Sequence, residues 1–375
     1  MAVYVVKSGD TVDSIAMAEN VLANEIIYDN QLVYPYALAV GQALYIRGEQ
    51  EEELTIQTNG YAYPFISSWV LEQTLPFLSR LSVFSYGFTR EGNLVPPPLN
   101  DAFMIDYAYR YGVMPILTLT PFDESGFFNN TLISAVVGSE AAKRNLIDQL
   151  LMQMQISGFR GVDVDFEYIL AQDRDAFSQF VLELTNAMNA EGYVTSVALA
   201  PKTSALQQGL LYEGKDYRQL GIAANQVLLM TYEWGYTYGP PMAVAPINKV
   251  REVVEYAVSE IDHRKINLGI PNYGYDWSLP FIRGETKART IGNVEAVLIA
   301  VQYGAEIQFD ELAKSPYFTY AVDDVWHEVW FEDVRSMQAK FDLIKEYDLL
   351  GAGYWQIMQL FRANWLQLRE NFLVL

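Results

Sequence analysis

The chain has 375 residues, 51% hydrophobic and 14% aromatic, with 26 Tyr and 7 Trp, and a formal net charge of −21. That charge repels a phosphate backbone, so nucleic acid is not expected as a partner. The lack of cysteine removes disulfides, thiolate metal sites and cysteine nucleophiles. The two histidines, His263 and His327, lie in no H-E-x-x-H, and there is no G-x-S-x-G, so serine–histidine and histidine–metal chemistry are disfavoured and neither metal nor cofactor is expected. The length suits two domains.

Taken in chain order, MAVYVVKSGD lacks a basic segment followed by an apolar core, and no run of about 18 apolar residues occurs anywhere. Neither a standard export signal nor a membrane span is expected. Residues 1–47 read as strand, helix, helix, strand. A short β run covers 2–6, and SGDT at 8–11 forms a turn with a helix N-cap ahead of Val12, Ile15 and Ala16 at helical spacing. A second helical pattern covers 24–30, and GQALYI at 41–46 closes as a strand.

YVVKSGDTVDSIA, Asn30 and LAVGQALYI resemble the LysM module, which binds N-acetylglucosamine polymers such as peptidoglycan and chitin. The resemblance implies sugar contacts at 8–11, with Gly9, Asp10 and Thr11, and at 32–36 around Pro35. On the residues alone, the favoured reading is that Gly9 and Asp10 do no more than shape a turn. RGEQEEEL at 47–54 carries consecutive like charges that do not pack, so 48–54 is expected to be an acidic linker.

From residue 55 the texture changes. Apolar runs at 55–64, 81–88, 113–120, 159–167, 194–201, 226–234, 266–277 and 350–357 read as eight buried strands. Amphipathic helices alternate with them, among them 139–156, opened by a Ser cap and closed at Gly158, and 173–191, opened by Asp173 and closed at Gly192. The alternation predicts an α/β fold of the TIM type, a (β/α)8 barrel over 55–375. After strand seven, the excursion 273–331 contains a hairpin-like alternation and reads as a small α+β insertion.

GVDVDFE in the fourth strand carries Asp163, Asp165 and Glu167 at alternate positions. Alternation puts them on one face at steps of about 6–7 Å, climbing from the barrel interior to the C-terminal mouth, where active sites of this fold lie. Like charges that close share protons, and at least one pKa rises. The outermost carboxyl is a natural acid for a glycosidic oxygen. Spacing alone also leaves open a calcium site or a purely structural acidic patch.

GVDVDFE, MTYEW (230–234), LGIPNYGYDW (268–277) and GYWQI (353–357) together resemble glycoside hydrolase family 18. The resemblance implies a retaining, substrate-assisted glycosidase in which the sugar's acetamido group is the nucleophile. It implies Glu167 as acid and base, Asp165 orienting the acetamido group, Asp163 supporting Asp165, Tyr232 donating to the acetamido carbonyl, and Trp355 as the floor under the sugar. Glu233, Met230, Asn272, Tyr273 and Trp277 are further candidates for sugar contact, and Tyr61 and Tyr63 are candidate sugar platforms. Arg160 stands where the family signature has its first Asp; its place at the strand's beginning suggests that this position is a supporting one whose loss does not abolish activity, and an Arg there could pair with a neighbouring carboxylate.

A LysM module joined to this barrel is similar to spore-associated N-acetylglucosaminidases that act on cortex peptidoglycan, which implies a wall or spore location. A chitinase, and a catalytically silent glycan-binding coat protein, are the other two readings; retention of Glu167 speaks against the silent one.

Overall fold

A computed structural model describes residues 2–48, 54–123 and 126–375. The acidic stretch expected as a linker therefore lies, apart from its two end residues, outside the described residues. Eight parallel strands, Thr55–Ala62, Arg80–Phe88, Met114–Leu119, Gly161–Val164, Val194–Leu199, Gln226–Leu229, Ile266–Pro271 and Gly351–Trp355, pair in chain order. The last also pairs with the first, which closes the barrel.

Two physically different layers flank these strands. Outward-facing residues enter one apolar core beneath the helices: Val162, Val164 and Phe166 are fully buried there, and the Phe166 ring packs on Phe177 and Phe180 of the helix Arg174–Ala190. The inner face is polar towards the floor. Asn59 and Ser82 exchange hydrogen bonds, Gln226 bridges Gln57 and Asn267, and Arg80 is buried among them, so each buried group needs a partner across the barrel.

Three strands end three or more residues before their apolar runs do. The fourth ends at Val164, not at residue 167, because its neighbour stops at Leu119; the Asp165 N–H to the Leu119 carbonyl, 2.9 Å, is the last bond between the two. The sixth ends at Leu229, and Met230 to Trp234 turn across the mouth. The run 266–277 splits in two. Ile266–Pro271 stays in the barrel, and Gly274–Leu279 joins a separate five-stranded antiparallel sheet with Arg289–Ile291, Gln308–Asp310, Ser315–Val322 and Val325–Trp330. The last two form the anticipated hairpin, closed by Asp323 and Asp324 at φ 51° and 61°, the backbone a two-residue turn between twisted strands requires. The helix Asn293–Tyr303 packs on this sheet.

Of the two helices singled out, Glu140–Ser157 is capped by the Ser139 hydroxyl and ends at Gly158 in the left-handed region. Asp173 does not cap Arg174–Ala190. Its carboxylate accepts instead from the Ser134 hydroxyl, a tertiary contact that wins over the local one.

The N-terminal module folds as Ala2–Val5, Val12–Glu19, Ala23–Asp29 and Ala43–Ile46, with its own small core. Asn30 ties its second helix to its last strand, donating to the Ile26 and Tyr45 carbonyls and accepting from the Tyr45 N–H. The module is seated on the barrel. Tyr45 packs on Val334 and Ala363 and donates to Glu370 at 2.5 Å, and the Arg362 guanidinium lies 3.9 Å from the Tyr28 ring centroid while donating to the Tyr28 carbonyl. Against the insertion, Ala39 joins the core, the Ile307 N–H donates to the Val40 carbonyl, and Gly41, at φ 82°, leaves no room for a side chain: a Cβ would lie 1.8 Å from the Ile307 oxygen.

Gly41→Val should therefore unseat the module without unfolding either core. Hydrogen exchange should rise at 39–46 and 307–310 while the barrel strands keep their protection; unchanged exchange at 39–46 would show that the contact does not hold the module.

Candidate active site

Beyond Val164 the side chains keep alternating although the ladder has ended. Phe166 is anchored in the outer core, which turns Asp165 and Glu167 to the opposite side, over the barrel interior. Asp163 sits deepest, accepting 2.7 Å from the Tyr61 hydroxyl and 2.5 Å from the Ser196 hydroxyl. Burial raises its pKa, and the two hydroxyl donors and the Arg80 guanidinium draw it back down. Asp165 comes next. Burial, then Glu167 and Asp163 as like charges, push its carboxyl well above the ordinary range. Its Oδ1 is buried without a hydrogen-bond partner among the described residues. Glu167 stands half-buried at the mouth, raised by burial and lowered by Lys215. The three carboxyls thus form one proton-sharing column.

Tyr232 faces the column. Burial, then Asp165 and Glu167, hold its phenol protonated far above neutral pH, so it is a donor under all working conditions. Glu233 follows at φ 69°, a left-handed conformation that costs a non-glycine residue roughly 1–2 kcal/mol. Its carboxylate accepts from both the Tyr273 and the Tyr275 hydroxyls. Burial and Glu167 raise its pKa while those two phenols lower it.

The floor between these groups is aromatic. Half-buried Trp355 packs edge-on against Phe84 (4.9 Å between centroids) and Tyr63 (6.0 Å), and against Tyr61 (5.9 Å), with Met230 in the same cluster. From Tyr63 and Phe84 a groove of about 440 Å³ runs past Phe65, Phe122 and Leu99.

Other candidates lie under the surface. Asn272 is 1% exposed and donates to the Gln356 and Gln359 carbonyls, holding the chain after Trp355; Trp277 is fully buried with its indole N–H on the Gly239 carbonyl. Tyr273 and Tyr61 are buried too, their hydroxyls donating to Glu233 and to Asp163. In the N-terminal module Gly9 takes the turn at φ 89°, Asp10 accepts from Tyr4 and from the Lys7 N–H, and Thr11 caps the first helix. Pro35 and its neighbours line a cavity of about 170 Å³ against Asn293, Val297 and Val334, and 8–11 take no part in it.

Arg160 does not take up the pairing open to it at the base of the ladder: it is exposed outside the barrel, its guanidinium 5.8 Å from the Tyr193 ring centroid. The arginine facing Asp163 is Arg80, which no local motif marks. Lys215, Ser196 and Tyr275 were likewise invisible to spacing, since they approach from other strands and loops. His263 and His327 are both occupied elsewhere, on the Asp348 carbonyl and on Asp276.

A closed parallel barrel with a graded carboxyl column at its C-terminal mouth, a facing phenol and an aromatic floor defines a glycosidase. Residues 126–359 match the family model "Glycosyl hydrolases family 18" and residues 4–47 match "LysM domain". The chain belongs to glycosyl hydrolase family 18. It is 42% identical to the Bacillus subtilis cortical fragment-lytic enzyme, over 99% of this chain and 98% of that one, and 33% identical to the putative sporulation-specific glycosylase YdhD of the same organism, over 99% and 88%. The crystal structure of the Bacillus megaterium spore cortex-lytic enzyme SleL superimposes with a TM-score of 0.94 at 32% identity, covering 100% of this chain and 98% of that one.

The raised pKa of Asp165 has a consequence for stability. A carboxyl that ionises less readily folded than unfolded contributes stability that is full below the ordinary carboxylate range and is lost as pH rises from that range up through its raised folded value. Asp165→Asn should therefore melt a few degrees above the parent at neutral pH, with the gap closing near about pH 3. A lower melting temperature at neutral pH would contradict the buried-charge reading.

Proposed function

We propose that the chain cleaves N-acetylglucosaminyl bonds of peptidoglycan, in the form of spore cortex fragments, by retaining, substrate-assisted hydrolysis. The observation that carries this reading is Asp165 Oδ1, a buried acceptor without a partner, placed between an acid at the mouth and a phenol donor. An acetamido N–H answers that acceptor, and its carbonyl oxygen answers the Tyr232 hydroxyl. Held so over the Trp355 ring, the carbonyl oxygen is aligned on its own anomeric carbon.

Glu167 gives its proton to the glycosidic oxygen as the acetamido oxygen attacks the anomeric carbon, so the leaving sugar departs as an alcohol and a cyclic oxazolinium remains. Asp165, hydrogen-bonded to the N–H, stabilises that cation, and Asp163 takes up the change in its charge through the column. Glu167, now a carboxylate, removes a proton from water that attacks the same carbon and reopens the ring. Two displacements return the original anomeric configuration, and the protein needs no nucleophile of its own.

The substrate assignment draws support from the relatives named for cortical fragments and from the LysM module, which supplies a second affinity for the same glycan. Association with the spore cortex follows from that substrate. Among the described residues no helix is long and apolar enough to cross a membrane. Because the module is seated on the barrel, deleting 1–48 would also strip Val334 and Ala363, so its part is better tested by substitution at Tyr34, 81% exposed.

On purified cortex fragments followed by mass spectrometry, Glu167→Gln should lower kcat by roughly 10²–10⁴-fold. Tyr232→Phe should cost about 10–100-fold, the worth of a hydrogen bond to a developing charge. Full activity of Glu167→Gln would refute the mechanism, and faster release of product from chitin oligomers than from cortex fragments would refute the substrate.

A further inference from the structure

Glu167 lies in a segment, 165–170, that belongs to no helix or strand, so something else must fix its backbone. The loop 200–216 lies against it. Lys215, 1% exposed, donates from Nζ to the Glu167 carbonyl at 2.6 Å, and Lys202, 3% exposed, donates from Nζ to the Lys215 carbonyl at 2.8 Å. Lys202 is held in turn by its N–H on the Tyr217 hydroxyl, which itself donates to the Ala200 carbonyl. Gly214 brings the two loops into contact: a Cβ there would meet the Ile169 oxygen at 2.2 Å.

A buried ammonium is costly unless opposite charge answers it. The Nζ hydrogen bonds of both lysines go to main-chain carbonyls, and the opposite charges acting on Lys215 are Asp165 and Glu167. We propose that Lys215 is a positioning residue of the glycosidase site, pinning the Glu167 main chain and supplying the positive charge that balances the Asp165–Glu167 pair. The inference rests on Glu167 being the acid. Burial pulls the Lys215 ammonium down to about 8, the two carboxyls raise it, and Lys202 lowers it further.

The groups that set the titration of Glu167 come from several elements. Besides Asp165 and Lys215, Glu233 and the phenols of Tyr63, Tyr168 and Tyr232 face it, and Asp163 acts through Asp165. Lys202 is balanced by Asp216 and Glu213 and opposed by Arg174. Among these, the only cation acting directly on Glu167 is Lys215. Its removal therefore raises the pKa of the acid, so the acid stays protonated to higher pH.

The test is the pH profile of kcat/KM on cortex fragments for the parent, Lys215→Met and Lys215→Arg. In Lys215→Met the alkaline limb should move up by about one pH unit or more, the effect of one nearby opposite charge, with kcat reduced. Lys215→Arg, charged at every pH, should keep the limb at or below the parent's. A lowered rate with an unmoved limb in Lys215→Met would overturn the proposal, since a merely structural lysine changes the rate and not the pKa. If Lys215→Met does not fold, Lys215→Gln, which keeps a donor for the Glu167 carbonyl, carries the same expectations. Glu167→Gln is run alongside: its full activity would refute the acid itself, whereas an inactive Glu167→Gln with an unmoved limb refutes only Lys215.

Discussion

Three carboxyl groups share one column in a half-buried site, and the protein must keep them from ionising together. Each is raised by burial, and each has a different remedy. Asp163 receives two hydroxyl donors and a buried arginine, so it tolerates charge best. Glu167 has a lysine beneath it and solvent above. Asp165, between them, has an acceptor left open among the described residues, which the proposed mechanism fills with the sugar's acetamido N–H. The column is thus graded from a supported carboxylate to an available acid, which is the ordering a proton-sharing site requires.

The barrel serves that column. Its polar interior places Tyr61, Arg80 and Ser196 around Asp163 from three different strands, while the outer apolar core, with Phe166 as its local anchor, orients Asp165 and Glu167 beyond the end of the ladder. At the mouth, Glu233 holds a left-handed backbone and is fixed by two phenols from the start of the insertion. Asn272 couples the seventh strand to the chain after Trp355, so the aromatic floor is set by a buried amide.

What could be read in the sequence was periodic or consecutive. Alternation showed the carboxyls on one face, and the βα recurrence showed the barrel. Strand ends were not legible at 165–167 or 230–234, because no proline or glycine interrupts those runs; they stop where the neighbouring strand stops. Arg80 and Lys215 sit in LSRLS and EGKDY, which carry no signal, and gain their meaning only when the barrel closes. Arg160 is near Asp163 in the chain but not in space, because it points outward. The seat of the LysM module was beyond reach for the same reason: Tyr45 and Glu370 are 325 positions apart.

The central claim is that the sugar's own acetamido group is the nucleophile, received by Asp165 and Tyr232. The most direct measurement compares kcat for one aryl glycoside carrying N-acetyl, N-fluoroacetyl, N-difluoroacetyl or N-trifluoroacetyl groups. Each fluorine withdraws electrons from the carbonyl oxygen, so the rate should fall steeply and progressively along the series. A rate independent of fluorine number would mean that the oxygen does not attack, and that the open acceptor on Asp165 serves another purpose.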